Sequence, residues 1–224
     1  MVEGQCEEQF AKALLVQHLG YFNVWLVPFI ARTARDAATG RVIGRGGGQW
    51  EKWRRDISKL MESQPGGDVR FSTLFDVYGL PDDFPDRDDA MRQRTPIARV
   101  ERLERAMQEA LNDRRLIPYL QLHEFETYVF ADLGALRDLL DAPDRPRLDR
   151  LAGEVAGTAP EEIDDGPDTA PSKRLMAHLG TVYQKTLYGS LVTEAIGLAG
   201  IRTRCPRFDA WVARLERLDA PRQP

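Results

Sequence analysis

Cysteine is nearly absent from this 224-residue chain, which carries only Cys6 and Cys205. Two cysteines make neither a disulfide framework nor a four-ligand zinc site, so a reducing cytoplasm is the expected home. Long apolar runs are missing as well. None approaches the ~18 residues of a membrane span, and the first residues are acidic rather than a basic patch leading into an apolar stretch. Neither a membrane anchor nor a secretory leader is expected. Gly46-Gly47-Gly48 lacks the Gly-Lys-Ser/Thr ending of a phosphate-binding loop, which argues against nucleotide binding there. No serine or cysteine stands in a nucleophile elbow, so a hydrolase triad is disfavoured. A net charge of −4 excludes a chain that is basic throughout and leaves room for a local basic groove.

What is present is an ordinary globular composition, with 42% hydrophobic and 29% charged residues, enough for a substantial core in one large domain or two small ones. The chain centres on Ile117–Asp132, IPYLQLHEFETYVFAD. Ile117–Leu122 reads as a buried strand, and Tyr128, Val129 and Phe130 follow as a second apolar segment. Glu124 and Glu126 are set between them. A strand continuing through Glu126 puts both acids on one face; a helix starting at Glu124 puts both near its positive end. Either way they lie at the C-terminal end of a strand, where open α/β sheets place their ligands.

Taken in order, Glu3-Gly4 reads as a strand-to-helix turn, yet only Met1 and Val2 precede it, so the start of the first strand is expected upstream of Met1 or dispensable. Apolar spacing predicts a helix over Glu7–Phe22 and a buried strand over Asn23–Ala31, with Pro28 pointing to a sheet edge. Arg32–Gly48 is polar, basic and glycine-rich. Trp50–Met61 is a basic amphipathic helix, Val69–Phe75 a strand ending beside Asp76, Leu80–Asp89 an acidic loop and Ile97–Asn112 a charged helix. Beyond the central stretch come a helix from Gly134, a loop over Asp164–Pro171, a helix that Ser172 caps, and last helices over Ala195–Ala199 and Phe208–Leu218. The tail after Asp219 is expected to fray. Strands alternating with helices predict an α/β fold with a mainly parallel sheet: a core over 1–132 and a helical C-terminal extension over 133–224.

Acids stand at three predicted strand ends: Glu3, Asp76, and the pair Glu124 and Glu126. Singly, each reads as a cap or a solvated end. Converging, they would repel strongly in a low dielectric, and a hard cation such as Mg²⁺ or Mn²⁺ would relieve that repulsion. Such a metal lowers the pKa of bound water and neutralises charge on a phosphate. His123, beside Glu124, is placed to orient a carboxylate or relay a proton. Lys173 and Arg174 suit phosphate, or are simply a basic helix start. Arg41–Lys59 interleaves basic residues with Trp50 and Trp53, a pattern of nucleic-acid surfaces and equally of a buried helix face.

VEGQCEE at Val2–Glu8, LFDVYGLP at Leu74–Pro81, HEFE at His123–Glu126, APSKRL at Ala170–Leu175 and Cys205-Pro206 with Trp211 together resemble one bacterial family, DUF4276, across nearly the whole chain. Its VEG opening is similar to that of Toprim domains, found in topoisomerases, primases and the overcoming-lysogenization-defect nucleases. In those, a glutamate after the first strand and a later Asp-x-Asp hold Mg²⁺ for phosphodiester chemistry. The resemblance implies a Toprim-like sheet, with Glu3 as the first element and Asp76 as the first aspartate of the second. Tyr78 stands where the second aspartate is expected, and Cys6 where the family carries threonine. It further implies a Mg²⁺-dependent nuclease acting on DNA or RNA, with Glu3, Asp76, Glu124 and Glu126 on the metal and Lys173 on the phosphate. A partner ATPase in anti-phage defence is implied as well. The rival expectation, favoured by Tyr78, is a non-catalytic regulatory or sensor module whose acids hold a structural ion or meet a partner. A topoisomerase is disfavoured by the short chain.

Overall fold

The computed structural model describes residues 1–31, 49–163 and 169–219. The glycine-rich stretch 32–48 with Arg41 and Arg45, most of the loop over 164–171, and the last residues of the tail lie outside the described residues. Two compact units divide the chain: Met1–Gly4 with Phe29–Leu122, and Gln5–Pro28 with His123–Pro224. The division differs from the expected break after residue 132, because the segment following Leu122 packs with the C-terminal helices and takes Gln5–Pro28 with it.

Every strand pairing in the first unit is parallel. β1 (Phe71–Ser72) pairs with β3 (Leu116–Ile117), and β2 (Phe75–Asp76) with β4 (Leu120–Gln121). Val2 bridges Leu74 on one side and Ile30 on the other. The ladder breaks between β3 and β4 without losing register, since Phe71 faces Leu116 and Phe75 faces Leu120. Pro118, in the gap, has no N–H to give. Thr73 fills in: its hydroxyl donates to the Tyr119 carbonyl at 2.9 Å and accepts the Tyr119 N–H at 2.9 Å. The Leu120 N–H donates to Glu104 Oε1 at 2.8 Å.

Two helices cover this ladder, and both follow from apolar periodicity. α3 (Trp50–Glu62) buries Trp50, Trp53, Ile57 and Met61, and α5 (Pro96–Leu111) buries Val100, Leu103, Ala106 and Met107. Asp83 accepts the Trp50 N–H at 2.8 Å at the start of α3. The Thr95 hydroxyl accepts from Ala98 N–H at the start of α5, with Pro96 in its first turn. A short helix α4 (Arg87–Met91) lies between them in the sequence. Phe71, Phe75, Leu116, Leu120 and Leu122 complete the core.

The second unit is helical. α1 (Gln5–Phe10) passes through a π-helical stretch (Ala11–Val16) into α2 (Gln17–Gly20), where one regular helix was expected. His123 takes a left-handed conformation (φ 65), and Phe125–Ala131 is a 3-10 helix, so the chain is neither strand nor α-helix here. Six consecutive residues of it, Phe125 to Phe130, are buried. Phe10, Phe125, Tyr128 and Phe208 stack around one another with centroids 4.8 to 5.8 Å apart. α6 (Leu133–Leu139), α7 (Arg145–Glu154), α8 (Pro171–Leu179), α9 (Lys185–Arg204) and α10 (Pro206–Glu216) complete it, with a second apolar core of Val129, Leu136, Leu151, Leu175 and Val192.

The fold is therefore mixed α/β, rich in helix, with short parallel strand pairs. The predicted buried strand over Asn23–Ala31 is a correction: only Ile30 bridges a neighbour, and Trp25 and Val27 are each 82% exposed. The apolar run is present, but only its end pairs: the Val2 N–H donates to the Phe29 carbonyl and the Ala31 N–H to the Val2 carbonyl, both at 2.9 Å. Among the described residues no helix is long and apolar enough to cross a membrane.

Candidate functional site

Parallel pairing places Glu3 and Asp76 at the same sheet edge. Val2 and Leu74 are bridged in parallel, so Glu3 and Asp76 leave adjacent strands at their C-terminal ends. Their backbone and side chain then meet: Asp76 N–H donates to Glu3 Oε1 at 2.7 Å. The chain turns immediately into a 3-10 stretch, Val77–Gly79. A Cβ at Gly79 would stand 2.5 Å from Glu3 Oε2 and 2.9 Å from Oε1, so only glycine leaves room for this carboxylate. Gly79 has no left-handed backbone; its role is space. Glu3, Asp76, Tyr78 and Gly79 are all half-buried.

The other predicted acids belong to the second unit, and each has a partner there. Glu124 Oε2 accepts the Ser172 N–H at 3.0 Å, in the first turn of α8. Ser172 was expected to cap this helix; the Glu124 carboxylate supplies the cap instead, and the negative charge suits the helix N-terminus. Glu126 is fully buried, with Oε2 on Lys185 Nζ at 2.8 Å and Oε1 without a hydrogen-bond partner among the described residues. Burial holds the Glu126 carboxyl above the ordinary range; Lys185 pulls against this and the Glu124 charge adds to it. The Tyr183 hydroxyl, likewise buried with no hydrogen-bond partner among the described residues, is pushed up by burial and by these acids.

His123 contacts the Glu161 carbonyl oxygen through Nε2 at 3.2 Å. The carboxylate of Glu161 in turn accepts the N–H groups of Arg207 and Phe208 at 3.0 and 3.1 Å, capping α10. The motif histidine thus braces a helix cap. Lys173 is exposed on α8, and no ion-pair partner for it occurs among the described residues.

So Glu3 and Asp76 come together, while Glu124, Glu126 and Lys173 are placed in the other unit. Among the described residues no group of three or more His, Cys, Asp or Glu side chains is arranged to hold a metal. A site of two carboxylates still fits Mg²⁺, which keeps most of its waters and takes one or two carboxylates together with substrate phosphates. Glu3 is held over Gly79 and by the Asp76 N–H.

A family model, described as a domain of unknown function, DUF4276, matches residues 2–216. The chain belongs to this family. No curated protein and no solved structure matches it. Within this DUF4276 chain, sequence reasoning did not single out Gly79 beside Glu3, Lys185 on Glu126, Glu161 beside His123, or the buried Tyr183. Gly79 carried a signal, as a glycine three residues beyond a strand-end aspartate. Lys185 carried none, because its acid lies 59 residues away.

Proposed function

We propose that the chain is a Toprim-like, metal-dependent phosphodiesterase that hydrolyses nucleic-acid backbones. Glu3 and Asp76 would hold Mg²⁺ or Mn²⁺, which would activate water and neutralise charge on the scissile phosphate. The single observation supporting this is the Glu3 carboxylate fixed over Gly79 and against the Asp76 N–H, at the C-terminal ends of adjacent parallel strands. That Asp76 N–H holds one Glu3 oxygen in place before any cation arrives, which lowers the ordering required on binding. Lys173, expected on the phosphate from the resemblance, is exposed on α8 in the second unit. Glu126 is fully buried, with Lys185 on one of its oxygens. A partner ATPase in anti-phage defence belongs to this reading through the family's likeness to Toprim nucleases.

One observation favours a second reading, a non-catalytic module whose acids hold a structural ion or a partner. It is the lack of a three-ligand group among the described residues, with Tyr78 at the position of a second aspartate. Melting in Mn²⁺ separates a metal site from none: a cation that binds the native state raises the melting temperature. The wild type should gain, and Asp76→Asn should lose most of the gain. Unchanged curves for both would remove the metal from either reading.

A further inference from the structure

α3 turns three of its four cations away from the core. Its buried side is Trp50, Trp53, Ile57 and Met61. Both tryptophans are thereby committed to the core, at 9% and 4% exposure, and neither is open for base stacking. Opposite them, Lys52, Arg55 and Lys59 follow one another at i, i+3 and i+7, which puts three exposed cations on the crest of the helix over roughly 10 Å. Of the three acids of α3, Glu51 takes Arg54 at 2.7 Å, and Asp56 and Glu62 lie beside the row. Lys52 and Lys59 have no ion-pair partner among the described residues, and Arg55 has only a 3.9 Å contact to Asp56.

The crest is rigidly tied to the acid site. Trp53 packs edge-on to Phe75, with ring centroids 5.1 Å apart and planes at 77°. Phe75 and Asp76 are consecutive residues of β2, so the helix that presents the cations is anchored on the strand that presents the acid.

We infer that Lys52, Arg55 and Lys59 form a track for the phosphodiester backbone of a single nucleic-acid strand, positioning it without reading its sequence. A row of three cations whose helix keeps its tryptophans in the core suits phosphates rather than bases. The choice of nucleic acid among polyanions rests on the phosphodiesterase reading above; the track itself does not need catalysis.

The test is anisotropy of a 5′-labelled strand of about 20 nucleotides, DNA in one arm and RNA in the other, titrated with the full chain in EDTA over a range of salt. Combining K52Q, R55Q and K59Q should weaken binding at least tenfold. It should also flatten the plot of log affinity against log salt by about 2, as expected when three phosphate contacts are lost from a single strand. Circular dichroism melts would establish that the exposed substitutions leave the fold intact. Unchanged affinity and slope in the triple variant would overturn the track, as would a wild type that binds neither strand or prefers a glutamate-rich peptide. Failure of the phosphodiesterase reading looks different: binding that the triple variant loses, with no cleavage by wild type in Mn²⁺.

Discussion

The Glu3 carboxylate lies so close over Gly79 that a single added carbon would stand 2.5 Å from one of its oxygens. The only way to accommodate that carbon is for the flexible glutamate to swing away, giving up the Asp76 N–H. Gly79→Ala should therefore cost about 1 kcal/mol in the apo protein, the value of one hydrogen bond, and abolish stabilisation by Mn²⁺. In a Glu3→Ala background the same substitution should cost almost nothing. Denaturant titrations of the four proteins measure the coupling; additive costs would mean that the glycine serves something else.

Glu126 and Lys185 predict a pH dependence with a definite sign. Burial raises the Glu126 carboxyl above its ordinary value of 4.5, so the folded chain holds a proton more tightly than the unfolded one. Stability from this group is full below about pH 4.5 and declines as pH rises through the folded value. Lys185→Met strands the charge. It should cost about 2–3 kcal/mol at pH 8, below the figure for a fully buried pair because Lys185 is 41% exposed, and much less near pH 4.5. Glu126→Gln should make the chain more stable at pH 8 and flatten its pH profile. Melts at the two pH values check both; a pH-independent Lys185→Met would refute the buried charge.

Thr73 replaces ladder hydrogen bonds that Pro118 cannot make. Thr73→Val keeps the shape and removes both bonds to Tyr119, leaving a buried N–H and a buried carbonyl unsatisfied, at about 2–3 kcal/mol. Thr73→Ser keeps the hydroxyl and should cost under about 1 kcal/mol. Equal losses for the two would assign the effect to the methyl group.

The legible parts of this fold are those with local periodicity. Trp50, Trp53, Ile57 and Met61 announced α3, and the apolar runs around Phe75 and Leu120 announced the parallel strands. A helix starting at Glu124 was one of two readings, but its 3-10 form was not legible, because Phe125–Phe130 is buried throughout and sets no amphipathic period. The run at Trp25 and Val27 misled because a continuous apolar stretch reads as buried, whereas both side chains are exposed and only Ile30 is bridged. At the candidate site, Glu3 and Asp76 were legible because each closes a strand. The pairing of Glu126 with Lys185, and of Glu124 with the start of α8, depends on contacts between distant segments that no local pattern encodes.

Cleavage of end-labelled single-stranded DNA and RNA by the full chain in Mn²⁺, with any ATPase encoded beside it, tests the central claim most directly. Wild type should cut at least one of the two. Glu3→Gln, which keeps the bond from Asp76, and Asp76→Ala should each cut at least about a hundredfold more slowly while melting like wild type without metal. A wild type that cuts neither strand, or an Asp76→Ala chain that cuts as fast as wild type, would contradict it.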